Sequence, residues 1–178
     1  MVEARAERAF LIAFVDFTRY TARAAKLDDA TLADTLDEYY VRVAEAAGAG
    51  SGRVVKFIGD GALLVFPDDH VDAGVHALLD LKESCDAWFA SLGWDSRLLV
   101  KAHFGTVMAG PFGPEGDRRF DVIGANVNIA ATIASRGFAL SPEAFRKLAP
   151  ETRKQFEKHT PPVTYIRQGD PRPHRTAR

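Results

Sequence analysis

The sequence predicts an α+β fold with a ferredoxin-like βαββαβ core and a C-terminal extension of a further strand and helix. Two observations support this prediction. Short apolar runs of strand length alternate with two long segments in which apolar residues recur at helical spacing. A Gly-Asp-Gly turn at 59–61 also separates two of the apolar runs, which is typical of a hairpin.

Each predicted element is supported either by such an apolar pattern or by residues typical of a helix start. The first helix has an apolar stripe at Leu32, Leu36, Tyr39 and Val43, and Ser141 followed by Pro142 is typical of a helix start. In chain order the elements are a buried strand at 9–15, a helix from an Asp28 or Asp29 cap to about Gly48, a hairpin at 53–66, a helix at about 70–92, a strand at 97–107, a Gly/Pro loop at 110–116, a strand at 118–123, an alanine-rich helix at 126–136, a short helix from Ser141 to Leu148 and a last strand at 161–166.

Length and composition predict one soluble domain. The chain has 178 residues, 47% of them hydrophobic and 26% charged, with a net charge of -1. This balance gives no general attraction to nucleic acid or membrane, and no apolar run approaches the ~20 residues of a membrane span. The N-terminus lacks the shape of a secretory signal, so we expect a cytoplasmic location. The domain is assigned to 9–166, with an N-terminal tail at 1–8 and a disordered basic tail at 167–178, for which nucleic-acid binding is the alternative.

Two carboxylates are predicted to meet at one edge of the sheet. Asp16 ends the first apolar run, and Asp60 lies in the hairpin turn. If the second hairpin strand pairs antiparallel with the first strand, both side chains come to the same edge. Paired carboxylates repel unless a hard cation such as Mg²⁺ lies between them. The alternative for this pair is a strand end and an ordinary Asp-Gly turn.

Three segments together resemble a known family. Asp16-Phe-Thr-Arg-Tyr-Thr21 is similar to D-I-x-G-F-T, and Lys56-Phe-Ile-Gly-Asp60 is similar to K-x-x-G-D. Phe120-Asp-Val-Ile-Gly124, followed by Val127-Asn128-Ile-Ala130, is similar to Y-D-V-x-G-x-x-V-N-x-A. With Lys101-Ala-His-Phe-Gly105 between the last two, the order and spacing resemble the catalytic domains of class III nucleotidyl cyclases.

This resemblance implies the class III cyclase fold and a head-to-tail homodimer with sites at the interface. Two Mg²⁺ or Mn²⁺ ions per site would be bound by Asp16, Asp60 and the backbone carbonyl of Phe17, in the logic of two-metal phosphoryl displacement. Backbone groups of the Arg19-Tyr20-Thr21 turn would bind phosphates. The substrate would be ATP.

The resemblance also implies that Lys56 and Asp121, from the other subunit, contact the base. Adenine fits this pair, because an ammonium can donate to ring N1 and a carboxylate can accept from the exocyclic amine. Guanine has the opposite polarity at both positions, and each unpaired buried group costs about 1–3 kcal/mol. The alternative for Lys56 is a strand lysine whose aliphatic stem lies along the protein surface while its ammonium reaches solvent. The alternative for Asp121 is a salt bridge with Arg118 or Arg119. Asn128 would orient the ribose, or is simply a polar residue at a helix start.

The sequence departs from the family where the transition-state arginine is expected, four residues after the asparagine. That position is Thr132, which cannot supply the positive charge. Arg136 would lie one turn further along a continuous helix and is a tentative substitute, or an exposed helix-end residue. Arg19 stands where the family usually has glycine, so the turn is restricted.

Three functions are therefore open. The first is an adenylyl cyclase that converts ATP to cyclic AMP and pyrophosphate, slowly because of Thr132. The second is a cyclase-fold module that binds nucleotide and turns over poorly or not at all. The third is a cyclase acting on another nucleoside triphosphate.

Overall fold

The computed structural model describes residues 4–173, which contain eight strands and six helices. In chain order they are β1 (Ala6–Phe17), α1 (Tyr20–Ala24), α2 (Asp29–Ala49), β2 (Arg53–Ile58), β3 (Gly61–Pro67), α3 (Val71–Ser91), β4 (Leu98–Phe112), β5 (Arg119–Ile123), α4 (Ala125–Thr132), β6 (Phe138–Leu140), α5 (Pro142–Arg146), α6 (Pro150–Arg153), β7 (Phe156–His159) and β8 (Thr164–Arg167). A single 3-10 turn, Asp68–His70, precedes α3.

The first four strands form the predicted ferredoxin-like sheet. They lie in the order β2-β3-β1-β4, and all three neighbouring pairs are antiparallel. The sheet continues through β6, which is parallel to β4, to β8 and β7, while β5 pairs with the far end of β4. The α+β fold class is therefore confirmed, and β4 lies at the centre of the extended sheet with β1 beside it.

Alternation along β1 divides the core between two faces of the sheet. Leu11, Ala13 and Val15 pack in the larger cluster beneath α2 and α3. Phe10 and Ile12 pack in a smaller cluster on the opposite face, where α4 supplies Ala130. Each fully buried leucine or valine of these clusters contributes about 1.5–3 kcal/mol of hydrophobic stabilisation. The face that bears α4 is the less covered one.

The two long helices each bury an apolar face, which for α2 includes part of the predicted stripe. The Asp28 carboxylate caps α2 by accepting from the Thr31 backbone N–H at 2.9 Å, and Tyr39 and Val43 are fully buried. In α3, Val75, Leu78 and Cys85 are fully buried. Within the described residues, no helix is long and apolar enough to cross a membrane.

Several boundaries differ from the predictions. The first strand begins at Ala6 rather than residue 9, and β4 continues to Phe112, which takes in the first three residues of the predicted Gly/Pro loop. The sequence reading also missed α1, β6, α6 and β7, each three to five residues long. Elements this short do not show a resolvable period, so their positions depend on tertiary packing.

The alanine-rich helix ends earlier than predicted, and this changes the position of Arg136. Helix α4 stops at Thr132, and Ile133 has an extended ψ of 125°. Ile133 is 8% exposed and packs with Ala139 and Ile166, which draws the chain away from the helix axis. Arg136 is therefore not one helical turn beyond Thr132.

The C-terminal segment is part of the fold for longer than predicted. Arg167 ends β8, and the Asp170 carboxylate accepts from the Phe138 backbone N–H at 2.8 Å. Arg172 pairs with Glu157 at 3.0 Å. Residues 167–172 are therefore ordered rather than a disordered tail, and the last five residues of the predicted tail, 174–178, lie outside the described residues.

Candidate active site

Asp16 and Asp60 line one cleft at the end of β1. Val15 pairs with Ala62 across β1 and β3, so the β2–β3 turn lies beside the end of β1. Gly59 holds a positive φ of 59° in that turn, where a side chain would be strained. The Tyr40 hydroxyl donates to the Gly59 carbonyl at 2.6 Å, which fixes the turn to α2. The structure thus brings together the two carboxylates that the sequence analysis paired.

The electrostatic environment of these carboxylates favours a bound cation. Burial raises the pKa of the Asp16 carboxyl, and the positive charge of Lys101 opposes that increase. Burial also raises the pKa of Asp60, with a further increase from the charge of Asp16, while backbone N–H groups of Asp60 and Phe17 act against it. Desolvation therefore makes both ionised carboxylates costly, the charge of Asp16 adds to the cost at Asp60, and a cation between them would relieve these costs.

The donor set fits Mg²⁺ or Mn²⁺. Among residues 4–173, no cluster of three or more His, Cys, Asp or Glu side chains could hold a metal. Mg²⁺ does not need such a cluster, because it is usually bound by one or two carboxylates together with substrate phosphates and water. Phe17 supplies the backbone next to Asp16, and its ring is anchored edge-on against Tyr39 at 5.2 Å between centroids. Two carboxylates beside a rigid backbone segment match that mode of binding.

The turn after β1 has the backbone shape expected where the family has glycine. Arg19 has a φ of 65°, in the left-handed region that costs a side chain of order 1 kcal/mol. Its guanidinium and that of Arg23 both pair with the Asp95 carboxylate. Tyr20 packs edge-on against Phe17 at 5.5 Å, and Thr21 is exposed. The Asp95 carboxylate thus holds the guanidinium groups on both sides of the Tyr20-Thr21 segment.

Lys56 and Asp121 also meet within one chain. The Lys56 ammonium donates to the Asp121 carboxylate at 2.6 Å, and the two side chains are 43% and 26% exposed. Arg119, an alternative partner for Asp121, instead pairs with Asp117 at 3.1 Å. Lys56 and Asp121 therefore form a pair of their own, and neither is among the residues that line the carboxylate cleft.

Helix α4 places Asn128 and Thr132 differently from Arg136. Asn128 is exposed, and the Thr132 hydroxyl donates to the Asn128 backbone carbonyl at 2.9 Å. Ala131, next to Thr132, lines the carboxylate cleft. Arg136 lies beyond the helix and lines a separate pocket with Thr18 and Arg97. The suggestion that Arg136 substitutes for the missing arginine from the same helix face is therefore wrong, since the helix does not reach it.

Lys101 is a site residue that the sequence analysis did not single out. It lies on β4 opposite Phe14, lines the cleft with Asp16 and Asp60, and its ammonium is 3.4 Å from the Ala131 carbonyl. The available signal was a lysine inside the otherwise apolar run from Leu98 to Ala102, where a charge is costly without a function or a partner.

A buried histidine fixes α4 to β4. The ring nitrogens of His103 lie 2.9 Å from the Ser141 hydroxyl and 2.9 Å from the Asn126 side-chain oxygen. Asn126 crosses directly over Gly105, where an added Cβ would come within 2.4 Å of it. This network holds the start of α4, and with it the residues that follow along the helix, against the central sheet.

Comparison with known proteins agrees with this architecture. The sequence matches the adenylate and guanylate cyclase catalytic domain over residues 2–165. An adenylate cyclase of Anabaena cylindrica is 25% identical in an alignment of 140 residues that covers 74% of this chain and 28% of that protein. Adenylate cyclase 2 of Rhizobium meliloti is 25% identical in an alignment of 157 residues that covers 81% of this chain and 42% of that protein. The chain thus spans less than half the length of these relatives.

A solved structure shows the same fold over nearly the whole domain. The guanylyl cyclase Cya2 is similar with a TM-score of 0.79 at 18% identity, and the match covers 97% of this chain and 98% of that one. At this identity the similarity establishes the fold and not the substrate. The match of the family over residues 2–165 covers the cleft, the Lys56–Asp121 pair and α4. The chain therefore belongs to the adenylate and guanylate cyclase catalytic domain family.

Proposed function

We propose that this domain is an adenylyl cyclase that converts ATP to 3′,5′-cyclic AMP and pyrophosphate. The observation that carries the proposal is the convergence of Asp16 and Asp60 in one cleft of a cyclase-family fold. Two curated relatives named as adenylate cyclases support the choice of ATP. In the reaction, the ribose 3′-oxygen forms a bond to the α-phosphorus as the bond to the β-phosphate oxygen breaks. That oxygen leaves with the electron pair on pyrophosphate, and the hydroxyl proton passes to solvent.

The chain's own residues provide the positions of the reacting groups. Asp16 and Asp60 would hold Mg²⁺ or Mn²⁺, which when bound lowers the pKa of the 3′-hydroxyl and neutralises phosphate charge. Both carboxylates are partly buried and line the cleft. The rigid packing of Phe17 fixes the backbone between the cleft and the Arg19 turn, whose N–H groups face a phosphate chain in this proposal.

A direct test is incubation with ATP, GTP, CTP and UTP in the presence of Mn²⁺ or Mg²⁺, with cyclic products separated by mass. We expect cyclic AMP to dominate. A dominant cyclic product of another base would overturn the choice of ATP. Binding of ATP and Mn²⁺ without any cyclic product would instead favour the second candidate, a non-catalytic nucleotide-binding module, which Thr132 supports.

The choice of adenine rests on Lys56 and Asp121. In the free chain the two side chains contact each other at 2.6 Å. An adenine base would replace this contact by accepting a hydrogen bond from the Lys56 ammonium and donating one to the Asp121 carboxylate. Both groups remain partly exposed and can reorganise at little cost. Guanine would place a donor against the ammonium and an acceptor against the carboxylate.

Exchanging Lys56→Glu and Asp121→Cys together should shift preference from ATP to GTP. The first change reverses the hydrogen-bond polarity, and the second removes an acceptor that guanine cannot use. We expect the kcat/KM ratio of ATP to GTP to fall by about ten-fold or more, the equivalent of one or two lost hydrogen bonds. Competition assays with both nucleotides measure this ratio. If it stays unchanged, these residues do not contact the base.

We propose that the working unit is a head-to-tail homodimer with shared sites. Within one chain, Lys56 and Asp121 do not line the carboxylate cleft, so a second copy could bring its base-binding pair to the first copy's metal site. Exposed apolar side chains on β2, β5 and α4 support an interface there: Ile58 is 61% exposed, Ile123 53% and Ile129 44%. Burial of such side chains against a second copy is favourable.

Mixing two inactive variants tests the shared site. Asp60→Ala removes a metal ligand and Lys56→Ala removes a base contact. If the residues come from different chains, random pairing should restore about a quarter of the wild-type sites, because half of the dimers are mixed and each has one intact site. Cyclic AMP formation after subunit exchange, verified by mass, is the measurement. No recovery in an exchanged mixture would mean that each site lies within one chain.

A further inference from the structure

We propose that Lys101 is the cation that binds the α-phosphate of the substrate in the carboxylate cleft, in place of an arginine at position 132. The inference rests on the proposed function and assigns a charge to the reaction that Thr132 and Arg136 do not supply.

The position of Lys101 follows from the register of the central strands. Phe14 pairs with Lys101 and Asp16 with Leu99 across β1 and β4. Side chains two residues apart on a strand share a face, so Lys101 and Asp16 project from the same side of the sheet. Lys101 is the cationic residue among those that line this cleft in the described part of the chain. Its ammonium is therefore directed to where phosphate groups would bind beside the two carboxylates.

The hydrogen bonding of Lys101 leaves capacity for a ligand. An ammonium has three donors. Within residues 4–173 the hydrogen bond of the Lys101 ammonium is the long 3.4 Å contact with the Ala131 carbonyl. In the same range Lys101 forms no ion pair with a carboxylate. Phosphate oxygens are strong acceptors that would satisfy the remaining donors.

The end of α4 keeps this ammonium near position 132. Ala131 belongs to the last turn of α4, where backbone carbonyls without helical partners attract cations. The residue next to it, Thr132, is where the resemblance expects an arginine. Lys101 thus brings a positive charge from β4 to the end of its own chain's α4, beside the carboxylate cleft.

The alternative is that Lys101 acts only as a counter-ion of the Asp16 carboxylate. Lys101 lowers the pKa of that carboxyl, which a purely electrostatic neighbour would also do. The two roles differ in what happens when metal is saturating. A counter-ion is needed only until metal occupies the carboxylates, whereas a phosphate-binding cation is needed during the reaction, when charge develops on the α-phosphate oxygens.

The test compares Lys101→Met with Lys101→Arg, and uses the exposed Lys158→Met as a matched control for loss of a lysine. At saturating Mn²⁺ we expect Lys101→Met to lower kcat about 100-fold or more, as removal of one transition-state donor does. Lys101→Arg should keep most of the activity. In the same proteins, the affinity for inorganic tripolyphosphate with Mn²⁺ should fall about ten-fold in Lys101→Met only, as for loss of one charge-assisted hydrogen bond. Mn²⁺ affinity without phosphate, measured by electron paramagnetic resonance, should not weaken.

The outcomes separate this assignment from the proposed function. If the wild type cyclises ATP and Lys101→Met keeps kcat within two-fold at saturating Mn²⁺, the assignment is wrong while the function stands. If the wild type forms no cyclic product from any nucleotide, the proposed function fails. Tripolyphosphate binding then decides: a ten-fold loss in Lys101→Met supports phosphate binding by Lys101, and unchanged affinity overturns it. Lys101→Gln replaces Lys101→Met in every arm if the latter does not fold.

Discussion

Asp16→Asn and Asp60→Asn should each eliminate cyclic nucleotide formation, with kcat reduced by about 1000-fold or more. Each change removes a charged ligand while keeping the shape of the side chain, so the cleft loses the metal and with it the activation of the 3′-hydroxyl. Initial rates of cyclic AMP formation over a range of Mn²⁺ concentrations measure the effect. Glu45→Gln, on the exposed surface of α2, is a matched control and should keep wild-type activity.

The same variants should be more stable than the wild type when metal is absent. Burial raises the pKa of Asp16 in the folded protein above its unfolded value, so its contribution to stability is present at low pH and is lost as the pH rises through the folded pKa. At pH 7.5 in EDTA the ionised group is therefore unfavourable, and Asp16→Asn should raise Tm by about 2 °C.

Adding Mn²⁺ should reverse this order. A ligand that binds only the folded state stabilises it, so Mn²⁺ should raise the Tm of the wild type and leave both variants unchanged. Thermal unfolding with and without the metal provides a readout that does not depend on activity. Equal Mn²⁺ shifts in all three proteins would show that Asp16 and Asp60 do not form the metal site.

Thr132→Arg should raise kcat by about ten-fold or more with little change in the affinity for ATP. The Thr132 hydroxyl only donates back to carbonyls of its own helix, at 2.9 and 3.2 Å, so its replacement removes no contact with another element. A guanidinium can bind two phosphate oxygens at once, which a lysine cannot, and this contact strengthens as charge develops on the α-phosphate. Steady-state kinetics with ATP and Mn²⁺ measure kcat and KM separately.

Arg136→Ala is the control for this prediction. Arg136 lines a pocket other than the carboxylate cleft, so its loss should leave kcat within about two-fold. In a Lys101→Met background, Thr132→Arg should give a larger gain than in the wild type, because the two cations serve the same phosphate. If Thr132→Arg changes the rate in neither background of a protein that binds ATP and metal, position 132 does not face the reacting phosphate.

The sequence was sufficient for the core of the fold and for the pair of carboxylates. The apolar run before Asp16 and the Gly-Asp-Gly turn are local signals, and the β2–β3 hairpin follows from that turn. The antiparallel pairing of β1 with β3 followed from the predicted ferredoxin-like order of the strands. The helix caps at Asp28 and Ser141 are likewise encoded within four residues. Such features need no knowledge of distant packing.

The remaining features depend on contacts that are distant in sequence. Helix α4 ends because Ile133 is buried against Ala139 and Ile166, which a helical propensity over 126–136 does not reveal. The Lys56–Asp121 contact joins β2 to β5, 65 residues apart in the chain. Lys101 could be placed on a strand from the sequence alone, but its position at the cleft required the register between β1 and β4.

The C-terminal strand has a consequence for where this domain can be cut. Lys101 pairs with Ala139 across β4 and β6, and Ala139 pairs with Ile166 across β6 and β8, so a single row of paired residues runs from β8 to the cleft. The family match stops at residue 165, one residue before Ile166 and five before Asp170. A recombinant fragment trimmed to that boundary would remove Ile166, the β8 partner of Ala139, and leave the Phe138 N–H without its carboxylate acceptor. Expression designs and chimeras should therefore retain the chain through Arg172, so that the strand bearing Lys101 keeps its lateral support.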